Sequence, residues 1–429
     1  MTSTLDQPRQ AATRTSAAAT AGFLNTDWNP RDVPAGTVTR NVVLRTPDGA
    51  ATSGTLYLPP GGTARGVVCI MHPREFMACH YLIPDILAAG HAAWSQSPRS
   101  VGVDLRLEHE IALIDVATGL RFLTEQAGME RIVLLGNSGG ASLYAFYVEQ
   151  AGLAAEQRIA RTPGGRPTGL AELVMPIPHG MVLVAPHPGQ GLLLLGCIDP
   201  SVTDETDPLS VDPALDPLDP ANGYRPAPEP SRYAADFVER YRAAQRARVA
   251  RLDAIARDLI AERLDARKRA RETDDIVLRR RGAHSAVMTV WRTDADLRCF
   301  DPSLDPSDRK YGTLWGRDPF QSNYGAVGFA RFCTPEAWLS TWSGLASNAS
   351  LLRTAPFIRV PTLLVEYTGD VSTFPTTLRD IFAAIGTMQK RHLHICGDHH
   401  GRALASGEEP GRYIAGRAIA AWLRETFAD

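Results

Sequence analysis

The pentapeptide GNSGG at 136–140 sets one serine, Ser138, among three glycines, directly after the apolar run RIVLL and one residue before SLYAFYVEQAG. A serine hydroxyl is a weak nucleophile until a base takes its proton and an acid orients that base. Two later segments offer those partners. Asp370 ends PTLLVEYTGD (361–370), and His399 and His400 stand in GDHHG (397–401). A serine in a strand-to-helix turn, followed along the chain by an acid and then a histidine, fits nucleophilic attack on an acyl carbon. Glu366, inside its strand rather than at its end, and Asp199 are weaker candidates for the acid.

These side chains need a frame that brings three strand ends together. NVVLRTPDGA and TSGTLYLPPGG read as two strands joined at a Pro-Asp-Gly turn. GVVCIM (66–71) is short, wholly apolar and bounded by Gly and His-Pro, which suits a strand buried on both faces. Apolar residues at 111, 114, 117, 120 and 123 keep helical spacing. RIVLLG and GMVLV are further buried strands, and SLYAFYVEQAG is a helix between them. Strands and helices alternate from 65 to 190 and again from about 360, which predicts a parallel α/β sheet with helices on both faces. Strand ends along one edge of such a sheet are where sites form.

The rhythm breaks in between. Residues 199–231 are rich in Asp and Pro and predict an irregular loop of Asx turns, not a metal site: the run Asp212, Asp216, Asp219 lacks the Gly and distal Glu of a calcium loop. A long amphipathic helix follows, with Phe237, Tyr241, Val249, Leu252, Ala256, Leu259 and Ile260 as its stripe and arginines, aspartates and glutamates over the rest. SAVMTVWRTDADLRCFD (285–301) reads as strand. The expected organisation is a flexible tail at 1–35, an α/β core at 36–190 and 351–429, and an inserted, mainly helical cap at 191–350. Trp291, Trp315, Trp338 and Trp342 either pack this cap or wall an apolar pocket beneath it.

The early hairpin with its PDG turn, the His-Pro after the third strand, GNSGG, PTLLVEYTGD and GDHHG together resemble the α/β-hydrolase fold superfamily, of the bacterial Ser-His-Asp esterase or acyl-hydrolase type with a large cap. The likeness covers about 38–200 and 355–427. It implies a mostly parallel sheet flanked by helices, with the cap inserted after the sixth strand. It carries the nucleophile onto Ser138 and the acid onto Asp370. GDHHG read as a small residue, Asp, His makes His399 the base; read as Gly-x-x-His it makes His400 the base, and the first fits the family's loop better. The resemblance assigns oxyanion donors to the amides of Gly139 and of Arg74 or Glu75. Pro73 departs from the common His-Gly form there, and proline has no amide to give. His72, Asn137 and His187 are the expected substrate-lining residues.

The implied reaction is hydrolysis of a carboxylic ester or related acyl bond, without a cofactor or metal. Thioesterase, amidase, C–C bond hydrolase and acyl-transferase chemistry use the same three residues, and a non-catalytic binding protein would be expected to lack one of them. A serine at the elbow disfavours dehalogenase and epoxide-hydrolase chemistry, which uses an aspartate there.

Composition narrows the class further. The chain has 429 residues, 44% hydrophobic and 21% charged, with a formal net charge of −2. That balance argues against nucleic acid or a membrane surface as the partner. No apolar run approaches the roughly 20 residues of a spanning helix. Six scattered cysteines without a CxxC pair suit reduced thiols in a cytoplasm. The expected partner is a small, partly apolar acyl substrate, and homodimer formation is left open.

Overall fold

A computed structural model describes residues 33–100, 104–326 and 328–427. The expected tail at 1–35 therefore lies almost wholly outside the described residues. Eight strands form one sheet: β1 Val38–Arg45, β2 Ala51–Leu58, β3 Gly66–Met71, β4 Ala92–Ser97, β5 Arg131–Asn137, β6 Gly180–Val184, β7 Thr362–Tyr367 and β8 Lys390–Ile395. Their order across the sheet is β1-β2-β4-β3-β5-β6-β7-β8. β2 runs antiparallel to β1 and β4, and β4, β3, β5, β6, β7 and β8 are mutually parallel.

Alternation along the strands explains why the central ones read as continuous apolar runs. Val67, Cys69 and Met71 of β3 face one core, with Leu134 of β5. Val68 and Ile70 face the other, with Val133 and Leu135. Helices α2 (His109–Glu125) and α3 (Gly139–Gly152) cover the first face, and α1 (Ile83–Ala88) covers the second. Two C-terminal helices complete the layers, Pro375–Ala384 on the first face and Gly411–Thr426 on the second.

The segment between β6 and β7 holds α4 (Gln190–Cys197), α5 (Ala235–Glu272) and α6 (Ile276–Ala283). α5 buries Phe237, Tyr241, Val249, Leu252, Ala256 and Ile260, with Leu259 half-buried. Trp315, Trp338 and Trp342 join Val249, Leu252 and Ala256 in a separate apolar cluster. The Asp-rich loop is built of turns: Asp204, Asp207, Asp212, Asp216 and Asp219 each accept a hydrogen bond from the amide two residues on.

One expectation is corrected. Within 285–301 only Met288–Thr289 pairs as strand, with Phe332–Cys333. The polar residues that follow spend their hydrogen bonds on side-chain contacts rather than on a ladder. Arg292, at φ 60°, turns its guanidinium onto Asp199, Ser201 and Ser210. Asp296 caps a short helix, Leu297–Phe300, and pairs with Arg242 and Arg298. Among the described residues, no helix is long and apolar enough to cross a membrane.

Candidate active site

The serine sits where β5 turns into α3. Ser138 has φ 54° and ψ −119°, a strained backbone for a residue with a Cβ. Close packing explains the flanking glycines. A Cβ on Gly136 would lie 2.5 Å from Ala141 Cα, and one on Gly140 would lie 2.5 Å from Met71 O. The second contact presses the end of β3, and the loop after it, against the start of α3.

His399 Nε2 lies 3.0 Å from Ser138 Oγ, and His399 Nδ1 lies 2.7 Å from Asp370 Oδ2. Asp370 follows β7 and His399 follows β8, so three strand ends converge. The other oxygen, Asp370 Oδ1, accepts from Ser372 N at 2.7 Å, Ser372 Oγ at 3.0 Å and Thr373 N at 3.1 Å. Ser372 Oγ also lies 2.8 Å from His399 Nδ1. Both His399 and Asp370 are buried.

His400 stands apart from Ser138. Its ring packs edge-on against His399, its Nε2 has no hydrogen-bond partner, and burial followed by the neighbouring His399 charge holds it neutral. Neither alternative acid reaches His399. Glu366 faces His392 and His394, and Asp199 is paired with Arg292.

The expected oxyanion donors need correction. The amides of Arg74 and Glu75 both donate to His72 Nδ1, at 3.1 Å and 3.0 Å, so they close a turn around the imidazole instead of facing Ser138. Asn137 is also elsewhere: its Nδ2 donates to Val184 O and its Oδ1 faces His80 Nε2, inside the core. Gly139 stands at the start of α3. As the first residue of α3 it carries an amide that the helix leaves unpaired.

Three side-chain nitrogens crowd that glycine. A Cβ on Gly139 would lie 2.6 Å from Gln190 Nε2, 2.7 Å from His72 Nε2 and 3.0 Å from His187 Nε2. The tautomers of the two histidines follow from their other nitrogens. His72 Nδ1 accepts two amides, and His187 Nδ1 accepts Gly189 N at 3.2 Å, so each Nε2 carries the proton. Two N–H donors therefore converge on Gly139, the residue after the serine.

Electrostatics separates these rings from His399. Burial, then nearby cationic groups, holds His72 well below its ordinary value and lowers His187 to about 3. Burial lowers His109 to about 4. Burial opposes the charged form of His399 too, but the Asp370 carboxylate outweighs it and the net shift is upward. His109 was not distinguishable in the sequence. It opens α2, is fully buried, bears on His72 and His187, and has neither ring nitrogen hydrogen-bonded.

The β6–β7 segment reaches this corner. Trp342 and Phe329 lie over the Arg74 guanidinium, at 5.1 Å and 5.6 Å. Ser340 Oγ accepts from His109 N and donates to Glu110, and Thr341 Oγ1 donates to Leu107 O.

No protein-family model matches the sequence, and none of the curated proteins is significantly similar to it. Solved structures are similar at low identity. DcsB in complex with its substrate analogue covers 91% of this chain and 100% of its own, at 13% identity and a TM-score of 0.48. The α/β hydrolase GrgF from Penicillium sp. sh18 covers 91% and 100%, at 14% identity and 0.46. The esterase domain of a Rhodothermus marinus protein covers 90% and 98%, at 11% identity and 0.43. Likeness at this distance speaks to neither substrate nor reaction. By its own topology, a mostly parallel eight-stranded sheet with an antiparallel second strand, helices on both faces and a strained serine turn after the fifth strand, the chain has the architecture of the α/β-hydrolase fold.

Proposed function

We propose that the protein is a serine hydrolase that cleaves a carboxylic ester or related acyl bond through an acyl-enzyme on Ser138. The observation that carries this reading is the chain of contacts from Ser138 Oγ to His399 Nε2 and from His399 Nδ1 to Asp370 Oδ2. His399 takes the proton from Oγ as Oγ attacks the acyl carbon. Asp370 holds the imidazole with its proton on Nδ1 and stabilises the imidazolium. Ser372 and Thr373 fix the carboxylate in turn. Collapse of the tetrahedral intermediate expels the alcohol, which receives the proton from His399. Water then attacks the acyl-serine with His399 again acting as base, which releases the acid and restores Oγ–H.

The oxyanion forms next to the Gly139 amide. His72 and His187 supply the second and third donors through Nε2–H, in place of the amides of Arg74 and Glu75. Neutral imidazoles suit this task, because they donate without competing with His399 for its proton. Residues 191–350 act as a cap that shields the site and selects the acyl group, in keeping with the contacts of Trp342, Phe329, Ser340 and Thr341 around the first turn of α2 and Arg74.

Turnover of p-nitrophenyl acetate and butyrate by the wild type and by Ser138→Ala, His399→Ala and His400→Ala tests this assignment. Ser138→Ala and His399→Ala are expected to lose roughly 10⁴-fold or more in kcat, and His400→Ala to stay within a few fold. Equal loss in both histidine variants, with both folded, would remove His399 as the base.

A further inference from the structure

Away from Ser138, the last two strands carry a second cluster of donor atoms that the proposed reaction does not use. His392 and His394 alternate on β8, so their side chains leave the same face of the sheet. His394 pairs in register with Glu366 on β7, which brings the carboxylate onto that face as well. His392 Nε2 lies 2.9 Å from Glu366 Oε2, and His394 Nδ1 lies 3.2 Å from the same oxygen. All three donor atoms fall within 4.8 Å of one another.

We infer that Glu366, His392 and His394 form a site for a divalent transition-metal ion, best matched to Zn²⁺, which fastens β7 to β8. Two imidazoles and one carboxylate are an ordinary zinc donor set. Tetrahedral bonds of roughly 2.0–2.2 Å set neighbouring donors about 3.3–3.6 Å apart. The two nitrogen-to-oxygen separations, 2.9 Å and 3.2 Å, fall somewhat below that spacing, and the two nitrogens lie within 4.8 Å of each other.

Burial adds a second argument. The Glu366 side chain is 6% exposed, and its ion-pair partners are these two imidazoles. Yet His392 Nε2 is buried without a hydrogen-bond partner, although the carboxylate oxygen is so near. The pair is close without the alignment of a hydrogen bond, as expected when both groups face a third party. Each imidazole would bind neutral, keeping its proton on the other ring nitrogen. His394 is 59% exposed, which gives the ion an entry path and leaves room for water as a fourth ligand.

Other cations on these strands are engaged elsewhere. Lys390 Nζ donates to the carbonyls of Phe382, Ala383 and Ile385, and Arg391 pairs with Glu425. The ion would brace the two strands whose ends carry Asp370 and His399. It takes no part in the chemistry at Ser138.

The test is binding, so it stands whether or not Ser138 is the nucleophile. The chelator-stripped full chain is titrated with Zn²⁺ by calorimetry against a chromophoric competitor, and thermal midpoints are recorded with and without the ion. One equivalent should bind with a Kd of about 1 μM or below, and the midpoint should rise. His394→Ala removes an exposed side chain, so folding should survive while affinity falls at least about 100-fold. His284→Ala, at an exposed histidine far along the chain, and Cys396→Ser should bind as the wild type does. The proposal is overturned if binding is absent, if His394→Ala binds as tightly as wild type, or if only Cys396→Ser loses the ion.

Discussion

His399 Nε2 stands 3.0 Å from Ser138 Oγ across 261 positions of sequence. The turn after β5 and the loop after β8 meet there because the sheet places both strand ends along one edge. The rest of the site is arranged around that contact.

The pH dependence of activity follows from the environment of His399. Its shift is upward from 6.5, and only the neutral ring accepts the proton of Ser138. The acid limb of kcat/KM should therefore have its midpoint above 6.5, with activity rising as pH rises. In Asp370→Asn the burial remains and the opposing carboxylate charge is gone, so the midpoint should drop and kcat should fall roughly 10⁴-fold. A pH–rate profile of both proteins on p-nitrophenyl acetate checks the sign.

Stability should respond to pH in the opposite sense to the His399 shift. Protonated His399 contributes stability below 6.5 that is lost as pH rises through its raised value. The buried rings of His72, His80, His109 and His187 and the half-buried ring of His400 are all lowered, chiefly by desolvation, so each contributes stability above 6.5 that is lost as pH falls. Five groups outweigh one. The thermal midpoint should decline as pH goes from 7 to 4, and a flat or rising midpoint would mean these rings are not buried neutral.

Loss of the proposed oxyanion donors should strike kcat. His72→Phe and His187→Phe keep a ring but remove Nε2–H, and each should lower kcat by roughly 10²–10³-fold with little change in KM. A trifluoromethyl ketone that forms the tetrahedral adduct should weaken in step with kcat. Variants with wild-type kcat would return the second donor to the backbone.

These donors also mark how far the sequence could be read. Continuous apolar runs identify β3, β5 and β6, GNSGG and Asp370 are visible because each follows an apolar strand, and His399 because it follows the alternating KRHLHI of β8. The insertion after β6 is legible as a break in that rhythm. What depends on contacts remote in sequence was hidden. Nothing near His72 in the chain reveals that the Arg74 and Glu75 amides turn back onto its ring, or that Nε2 then points at Gly139. His109 begins an ordinary amphipathic helix and meets the site only through packing. Segment 285–301 has strand-like residues, but Arg292 and Asp296 are drawn into ion pairs with partners far along the chain.

The elbow should tolerate no side chain at Gly140. Gly140→Ala places a methyl against Met71 O, and relief requires β3 or α3 to move. Denaturant unfolding should show a loss of roughly 1–3 kcal/mol, with kcat reduced because the displaced loop carries His72.

The Arg292–Asp199 pair ties the β6–β7 segment to itself with both side chains almost wholly buried. Arg292→Ala strands the Asp199 carboxylate and should cost about 3–5 kcal/mol in unfolding free energy. Arg292→Ala/Asp199→Ala should recover part of that loss, which a double-mutant cycle measures.

Peptide mapping after reaction with a fluorophosphonate tests the role of Ser138 most directly. One equivalent of label should appear on the peptide that holds Ser138, at a rate that falls with protonation of His399, and Ser138→Ala should take up none. Label on another serine, or undiminished labelling of Ser138→Ala, would contradict the assignment of Ser138 as the nucleophile.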